Sequence, residues 1–570
     1  MQLCTKLEWL RRRGAIGAYI LAGWVIQLPG QQAMRITDPY GGTGRPVAPP
    51  GKYFRIIKKN RRWILVTPTG RAFWLLGVYN VQPPEAIPAA GLARTHWRGG
   101  KRGWGVKTVQ QLCGWGFNTL GEYSSLYTWP IPWPYGGHWR NPQRMAFIGI
   151  IRPARYSLLN RHGWAPGAVK DLLAGVKLGY YRGWRGRGLP DVFDPNFSRY
   201  ARAEARHLPA KERDSRWLIG IATDDVDDLV GFGPGPRIPA RRCSINPGWM
   251  VLVTDYQQKF NARLHQHYAD PVVYSKLALE RQLRRHYGTI ARLNAAWGAH
   301  YFRFGDAGGW GRGSGWLDED GRHSWISRDP CHLTGAPSAE KRDLNYFVER
   351  FARHYFRVTA EAIHQAAPGH LIWGPAALNG WGGLSRAGIL RAAAQYVDVI
   401  QAGAAAPRVF RLTEKRTQGK PLALWLGLAA NRDSELKRFP RGAAGIAQFP
   451  TQAARGKAYA RKVLGGYGMR TPGGMAPIIG VTYWDYADSW AEKMNWGLVG
   501  LDGRPYQGRP DGKLRLPQSD VASGKTKYFR SDDFIRYVVQ ANHAVIQNLR
   551  NWARRLTRSG PGERNSARQK

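Results

Sequence analysis

At 570 residues, with 43% hydrophobic and 12% aromatic residues, the chain has ample apolar material for a core, which excludes a disordered protein. Lys and Arg outnumber Asp and Glu by 85 to 39, a formal charge of +46 that attracts polyanions. That excess is spread along the whole chain with no zinc-finger spacing and no RNP-type run, so specific nucleic-acid recognition is not expected.

In chain order, Arg11-Arg12-Arg13 precedes a short apolar run at 15–28, the pattern of a secretion signal or membrane anchor over residues 1–30 and of a secreted, periplasmic or membrane-anchored extracytoplasmic protein. Residues 31–51 are rich in Pro and Gly and read as a linker. A hairpin is expected from 53–58 and 63–66 around Lys59-Asn60-Arg61-Arg62. Eight short apolar runs then follow, at 73–78, 117–121, 146–151, 217–221, 370–374, 397–400, 422–426 and 477–484. Helical periodicity falls between them at 107–114, 277–297, 341–367, 389–395 and 452–464, and a closing helix is expected at 532–556. Eight strands alternating with helices give a (β/α)8 TIM barrel over 52–515, with an N-terminal β-hairpin extension, a C-terminal helical segment at 516–557 and a disordered tail at 558–570.

Cys4, Cys113, Cys243 and Cys331 form neither a disulfide framework nor a metal-ligand spacing, and the 14 His residues form no spaced cluster. No P-loop, Gly-x-Ser-x-Gly elbow or dinucleotide fingerprint is present, so no cofactor and no metal are expected.

Barrel chemistry sits at the C-terminal ends of the strands. The fourth run, Ile219-Gly220-Ile221-Ala222-Thr223, leads into Asp224 and Asp225, with Asp227 and Asp228 beyond; Asp191-Val192-Phe193-Asp194-Pro195 precedes it. Adjacent carboxylates raise one pKa of the pair, as a general acid requires. A loop paired with arginines or a Ca²⁺ site are the plainer accounts of such a run. Glu122 after the second strand, Asn80 after the first, Trp425 in the seventh and Asp485 after the eighth are candidate substrate-binding residues. The loop at 315–323 reads as a solvated turn or a substrate-facing one.

Several pieces together resemble a known family. Tyr287-Gly288-Thr289-Ile290 with Leu293-Asn294 and Ala296-Trp297-Gly298 is similar to a helix of barrel β-galactosidases. Trp63-Ile64-Leu65-Val66-Thr67-Pro68, Trp115-Gly116-Phe117-Asn118-Thr119, residues 451–459, and Asn495-Trp496-Gly497-Leu498-Val499 with Arg504-Pro505-Tyr506 resemble the β-agarase type of glycoside hydrolase in that family's order, over about 53–506. The resemblance implies a retaining glycosidase of polysaccharides or oligosaccharides. Such an enzyme has a glutamate acid/base ending strand four and a glutamate nucleophile ending strand seven, with carboxyls about 5 Å apart. It also implies an aromatic beneath the bound sugar, matched here by Tyr483-Trp484; the same rings could equally be core.

The sequence departs from that pattern at both glutamates. Val226 stands in the first slot, and strand seven offers only Trp, Leu and Gly. Three readings stay open: Asp224 or Asp225 as acid with Asp433 or Glu435 as second carboxylate; Asp485 or Asp488 as the partner; or lost catalysis in a non-catalytic carbohydrate-binding barrel. The charge makes an anionic polysaccharide the first candidate partner, with polyanion or nucleic-acid binding a distant alternative.

Overall fold

The structure, a computed structural model, describes residues 38–84, 99–131, 140–154, 192–208, 210–224, 274–301, 303–304, 337–375, 387–403, 414–434, 436, 446–501, 503, 505–506 and 533–558. The N-terminal export-like segment, the loop at 315–323 and the tail lie outside them.

Eight strands stand in the expected order: β5 (Leu75–Val78), β6 (Thr119–Leu120), β7 (Ala146–Ile151), β8 (Leu218–Thr223), β9 (Leu371–Trp373), β10 (Ile400–Gly403), β11 (Leu422–Ala429) and β13 (Ile478–Trp484); the sixth lies later than expected, meeting the run at 397–400 only at Ile400. They are hydrogen-bonded in parallel in the order β10-β11-β13-β5-β6-β7-β8-β9. The Trp373–Val399 bridge joins β9 to the segment entering β10, closing the circuit of a (β/α)8 barrel. Short β12 (Ala447–Gln448) pairs beside β11.

Two buried clusters follow from strand alternation. Leu75, Ala146, Ile148, Ile219, Ala222, Trp373, Ala423 and Ile479 fill the lumen. A larger cluster, including Leu76, Val78, Leu218, Leu424 and Leu426, packs the outer faces against helices.

Four antiparallel strands, β1 (Thr43–Pro46), β2 (Arg55–Lys59), β3 (Arg62–Val66) and β4 (Arg71–Phe73), form a separate sheet in the order β1-β4-β3-β2. Its Phe54, Leu65 and Phe73 belong to the lumen cluster, so the expected hairpin is one half of a sheet that stoppers the barrel's N-terminal end. Trp63 Nε1 donates to Gly419 O at 2.8 Å, and Arg62 bridges Ala476, both ahead of strands β11 and β13. Strand β1 falls inside the stretch expected as linker; its proline sits at the end of an edge strand, where the missing N–H costs no ladder bond.

Helix boundaries show local chemistry that periodicity misses. The expected helix at 277–297 is two, α4 (Tyr274–Tyr287) and α5 (Ile290–Trp297). Gly288 at φ 73° ends the first, and the Thr289 side chain accepts from Arg292 N to cap the second. Helix α2 (Pro195–His207) was not expected, although Asp194-Pro195 is a start signal: Asp194 accepts from Asn196 N at 2.8 Å, with Pro195 at the first position. Helix α1 (Gly100–Gly114) starts earlier than expected. Helix α3 is Ala210–Arg213, α6 is Ser338–Ala366, α7 is Ala387–Tyr396 and α8 is Gln452–Gly468; the closing helix α9 is Asp533–Arg558. A Cβ on Gly456 would come within 2.5 Å of Tyr537, so the glycine allows α8 and α9 to touch closely. Tyr459 OH donates to Asn542 Oδ1 at 2.8 Å, and Asn542 Nδ2 donates to Trp115 O at 3.0 Å, tying both helices to the outer wall.

Glu212 of α3 is buried against Gly149 of β7, where a Cβ would lie 2.7 Å from Glu212 Oε1. Burial pushes its carboxyl up to about 8, only partly opposed by Arg213. A raised folded-state pKa favours the fold most at low pH, and this contribution is lost as pH rises from the ordinary carboxylate value of 4.5 through about 8. Glu212→Gln is therefore expected to leave stability unchanged near pH 4 and raise it by a few kcal/mol above pH 8, on the order expected for a shift of this size. Chemical denaturation across that pH range reads it, and parallel pH profiles for the two proteins would contradict it.

Candidate functional site

With the N-terminal end stoppered, the C-terminal mouth is the open end of the barrel, and each strand end fixes one part of it. On β13 the register slips by one residue, so that Leu422 faces Ile478 while Ala423 faces Gly480. The extra residue resets the alternation. Thr482 then lies within reach of both Gly77 and Gly121, on different strands, so it points into the lumen. Trp484 follows on the same side. Tyr483 points outward instead, buried against Tyr459 and Phe534 with its hydroxyl donating to Trp496 O at 2.7 Å. The two aromatics expected beneath a sugar thus separate: Trp484 faces the mouth and Tyr483 is core.

Half-buried Trp484 is the hub of an aromatic floor. Its ring centroid lies 4.7 Å from Tyr79, 5.8 Å from Trp425 and 5.4 Å from Trp496, and Tyr79 meets Tyr123 at 5.5 Å. On β11, Leu424, Leu426 and Leu428 pack outward, which turns Trp425 and Gly427 to the lumen. Gly427 is paired with Trp484, and the strand runs on to Ala429, so among its described residues the seventh strand carries an indole and a glycine toward the lumen and no carboxylate.

Two polar pairs flank the floor. Gln401 of β10 donates its Nε2 to Glu122 Oε1 and, at 2.9 Å, to Gly374 O. That bond reaches from beyond the second strand to the sixth, so buried Glu122 sits across the lumen. Asn80 donates to Asp485 Oδ2 at 2.9 Å, joining the first strand end to the eighth. Asp485 is buried, and desolvation holds its carboxyl well above the usual range, against the bonds from Asn80 and from Tyr486 N. Asn80, Tyr123 and Asp224, each just past a strand end, have φ of 51°, 62° and 52°. Left-handed backbone at non-glycine residues is costly, and it concentrates where a site fixes its geometry.

Of the other acids singled out from the sequence, Asp224, Asp433 and Asp488 are bonded to loops and helices. Asp224 is buried, its Oδ1 accepting from Ala154 N at 3.0 Å and its Oδ2 from the Tyr355 hydroxyl of α6. Its carboxyl ties strand four to the helix layer. Asp433 accepts from Gln452 N at 2.8 Å, at the first turn of α8, where a carboxylate meets unpaired helix N–H groups. Burial raises its pKa, partly offset by that bond. Asp488 accepts from Gly497 N at 2.7 Å, Asn495 Nδ2 at 2.8 Å and the Tyr506 hydroxyl at 2.6 Å. Asp225, Asp227, Asp228 and Glu435 lie outside the described residues. Among the described residues, no group of three His, Cys, Asp or Glu could hold a metal ion.

Gln401, Tyr79 and Tyr123 were not anticipated; their places depend on which strand ends meet, and no local pattern marks them. Trp496 lay within a quoted motif. The motifs that carried the resemblance are buttresses of the mouth. Tyr287 and Trp297 both donate to Asp343 Oδ2, at 2.6 and 2.8 Å, locking α4 and α5 onto α6. Arg455 donates to Asn495 O and Gly497 O at 3.1 and 2.8 Å, and Gln452 to Asn495 Oδ1 at 2.8 Å, which fixes the backbone carrying Trp496.

No family model matches the sequence. Two curated relatives are similar, both from Vibrio sp. (strain JT0107). β-Agarase A is 26% identical over 300 residues, 52% of this chain and 23% of the relative; β-agarase B is 23% identical over 431 residues, 70% and 40%. The chain thus spans less than half the length of these relatives. The solved structure of an agarase, AgWH50C, matches 91% of this chain and 68% of its own, at a TM-score of 0.59 and 17% identity. An exo-β-agarase structure matches 95% and 70%, at 0.60 and 16%. In sequence and in barrel architecture, the chain resembles the barrel glycoside hydrolases of the β-agarase type.

Proposed function

We propose that this protein hydrolyses O-glycosidic bonds of a polysaccharide, gripping the chain on the aromatic floor of the barrel mouth. The observation that carries this is the Trp484 hub. Indole faces offer broad, rigid contact to the apolar faces of sugar rings, and the Glu122–Gln401 and Asn80–Asp485 pairs stand beside them for hydroxyl recognition. The sequence similarity to β-agarases supports the bond class. Asp225, next along from the strand-four end, is assigned as acid, and Glu435, past the end of strand seven, as the second carboxylate. Asp224 and Asp433 are engaged by backbone and side-chain bonds, which favours these neighbours for the chemistry, with Asp227 and Asp228 also in the strand-four loop. The formal charge of +46 favours an anionic glycan, and the basic, apolar N-terminal run favours an extracytoplasmic setting.

A second reading, a carbohydrate-binding barrel without catalysis, is favoured by one specific observation. Strand seven turns Trp425 and Gly427 to the lumen, with no carboxylate at its end.

Reducing-sugar release is the deciding measurement, screened over neutral, uronic and sulfated polysaccharides. Hydrolysis predicts release by the unaltered protein and a fall of about a hundredfold or more in Asp225→Asn and Glu435→Gln. Release that survives both substitutions would discard this pair of acids. Glycan binding with no release on any polymer would establish the non-catalytic barrel.

Two further variants separate floor from scaffold. Trp484→Ala is expected to weaken glycan binding roughly tenfold in calorimetric titration, the equivalent of about 1.4 kcal/mol. Asp224→Ala is expected to cost about 1–3 kcal/mol in chemical denaturation, because it removes two buried hydrogen bonds, from the Ala154 N–H and the Tyr355 hydroxyl. Its glycan affinity, measured where it remains folded, should match the parent, and a specific loss of affinity would return Asp224 to the site.

A further inference from the structure

The outer wall carries a second feature that the mouth does not explain. Tyr346 of α6 is 57% exposed, and only it and Leu464 are large hydrophobic residues left exposed among the described residues. Arg342 and Arg350 stand four residues to either side, on the same helix stripe. The stripe extends about 12 Å at the rise of an α-helix. On the neighbouring α4, exposed Arg281 and Arg285 are also four residues apart, and both lie within electrostatic reach of Arg350. The two helices are held in register by Arg350 Nη1 donating to Ala278 O and Gln282 Nε2 donating to Asp343 O, both at 3.0 Å.

The carboxylates around this ridge are already engaged. Asp343 accepts from Tyr287 and Trp297, Glu280 pairs with Arg284 at 2.9 Å, and Glu349 pairs with Arg353 at 3.2 Å and Arg391 at 2.5 Å. Among the described residues, Arg281, Arg285, Arg342 and Arg350 therefore have no carboxylate partner. Four like charges gathered around an exposed ring repel one another unless an anion joins them.

Topology places the ridge near the mouth. Helix α6 follows strand four and precedes strand five, so it begins at the C-terminal end of the barrel, and Arg342 and Tyr346 lie in its first turns.

We propose that Arg281, Arg285, Arg342 and Arg350 with Tyr346 form an accessory binding surface for an anionic polysaccharide. The tyrosine ring packs on a sugar face, and the guanidiniums take the sulfate or carboxylate groups along the chain. A nucleic acid fits less well. Helix α6 is buried along its opposite face, from Leu344 to Ile363, and so is not free to enter a groove and read base edges.

The test measures binding by the full chain to immobilised dextran sulfate across a range of salt, with uncharged dextran and single-stranded DNA alongside. It reads binding alone, so its outcome is separate from whether the mouth hydrolyses anything. The combined Arg281→Gln, Arg285→Gln and Arg342→Gln variant should weaken dextran sulfate binding at least tenfold and lower its log–log salt slope by about two to three. Tyr346→Ala should weaken it severalfold with the slope unchanged, and should affect DNA less. A control triple, Lys211→Gln, Lys415→Gln and Arg461→Gln, removes the same charge from exposed positions elsewhere and should change affinity less than twofold. Equal losses from the two triples, or no loss from the ridge variants, would overturn the proposal in favour of diffuse charge. DNA binding that depends on Tyr346 as strongly as dextran sulfate binding does would overturn the choice of polysaccharide.

Discussion

A closed parallel barrel must satisfy two packing surfaces at once, and everything at the mouth depends on which residues its strands assign to each. Inward residues fill a lumen too narrow for anything but side chains, while outward ones pack the helices. Here the N-terminal end is also sealed by Phe54, Leu65 and Phe73 of the small antiparallel sheet, so the inward row opens only at the C-terminal end. The one-residue slip on β13 then decides the character of that end. It sends Thr482 and Trp484 inward and Tyr483 outward. Without it, the last strand would present a different row to any ligand.

The polar groups around the mouth form two populations. Asp224, Asp433 and Asp488 have their oxygens engaged by backbone N–H groups and buried side chains, and they hold loops and helices in place. Glu122 and Asp485 face across strand ends and are joined to amides, Gln401 and Asn80, which set their orientation. For Asp485, desolvation prevails over the bonds from Asn80 and Tyr486 N. The same distinction explains why the residues that make the sequence look agarase-like need not themselves be chemical. Tyr287, Trp297, Arg455 and Asn495 build the frame on which strand ends and their loops are displayed. A frame of this kind is separate from the groups it displays, so a likeness carried by the frame does not by itself assign the chemistry at the strand ends.

The accessory ridge on α6 and the mouth answer different parts of the chain's composition. Aromatic residues gather at the mouth, where Trp425, half-buried Trp484 and buried Trp496 touch one another. The charge excess is mostly solvated and diffuse. It gathers where α4 and α6 bring together arginines whose neighbouring carboxylates are paired elsewhere.

The order and number of barrel strands were legible in the chain because continuous apolar runs between helical stretches admit few other architectures. So were the strand-end positions of Asn80, Glu122 and Trp484, since a strand end is a local property. Helix breaks at Gly288-Thr289 and Asp194-Pro195 were written in capping residues that hydrophobic periodicity alone overlooks. The direction of each side chain was not legible. Tyr483 and Trp484 are neighbours in sequence and lie on opposite sides of the wall because of one inserted residue, and a single slip reverses facing for everything after it. Asp224 stood in the right place for chemistry, yet its oxygens meet Ala154 and Tyr355, which are 70 and 131 residues away. The chain by itself determined the barrel and where its mouth would open. Only the tertiary structure decided which residues line that mouth, because facing and hydrogen-bond partners are set by contacts between segments distant in sequence.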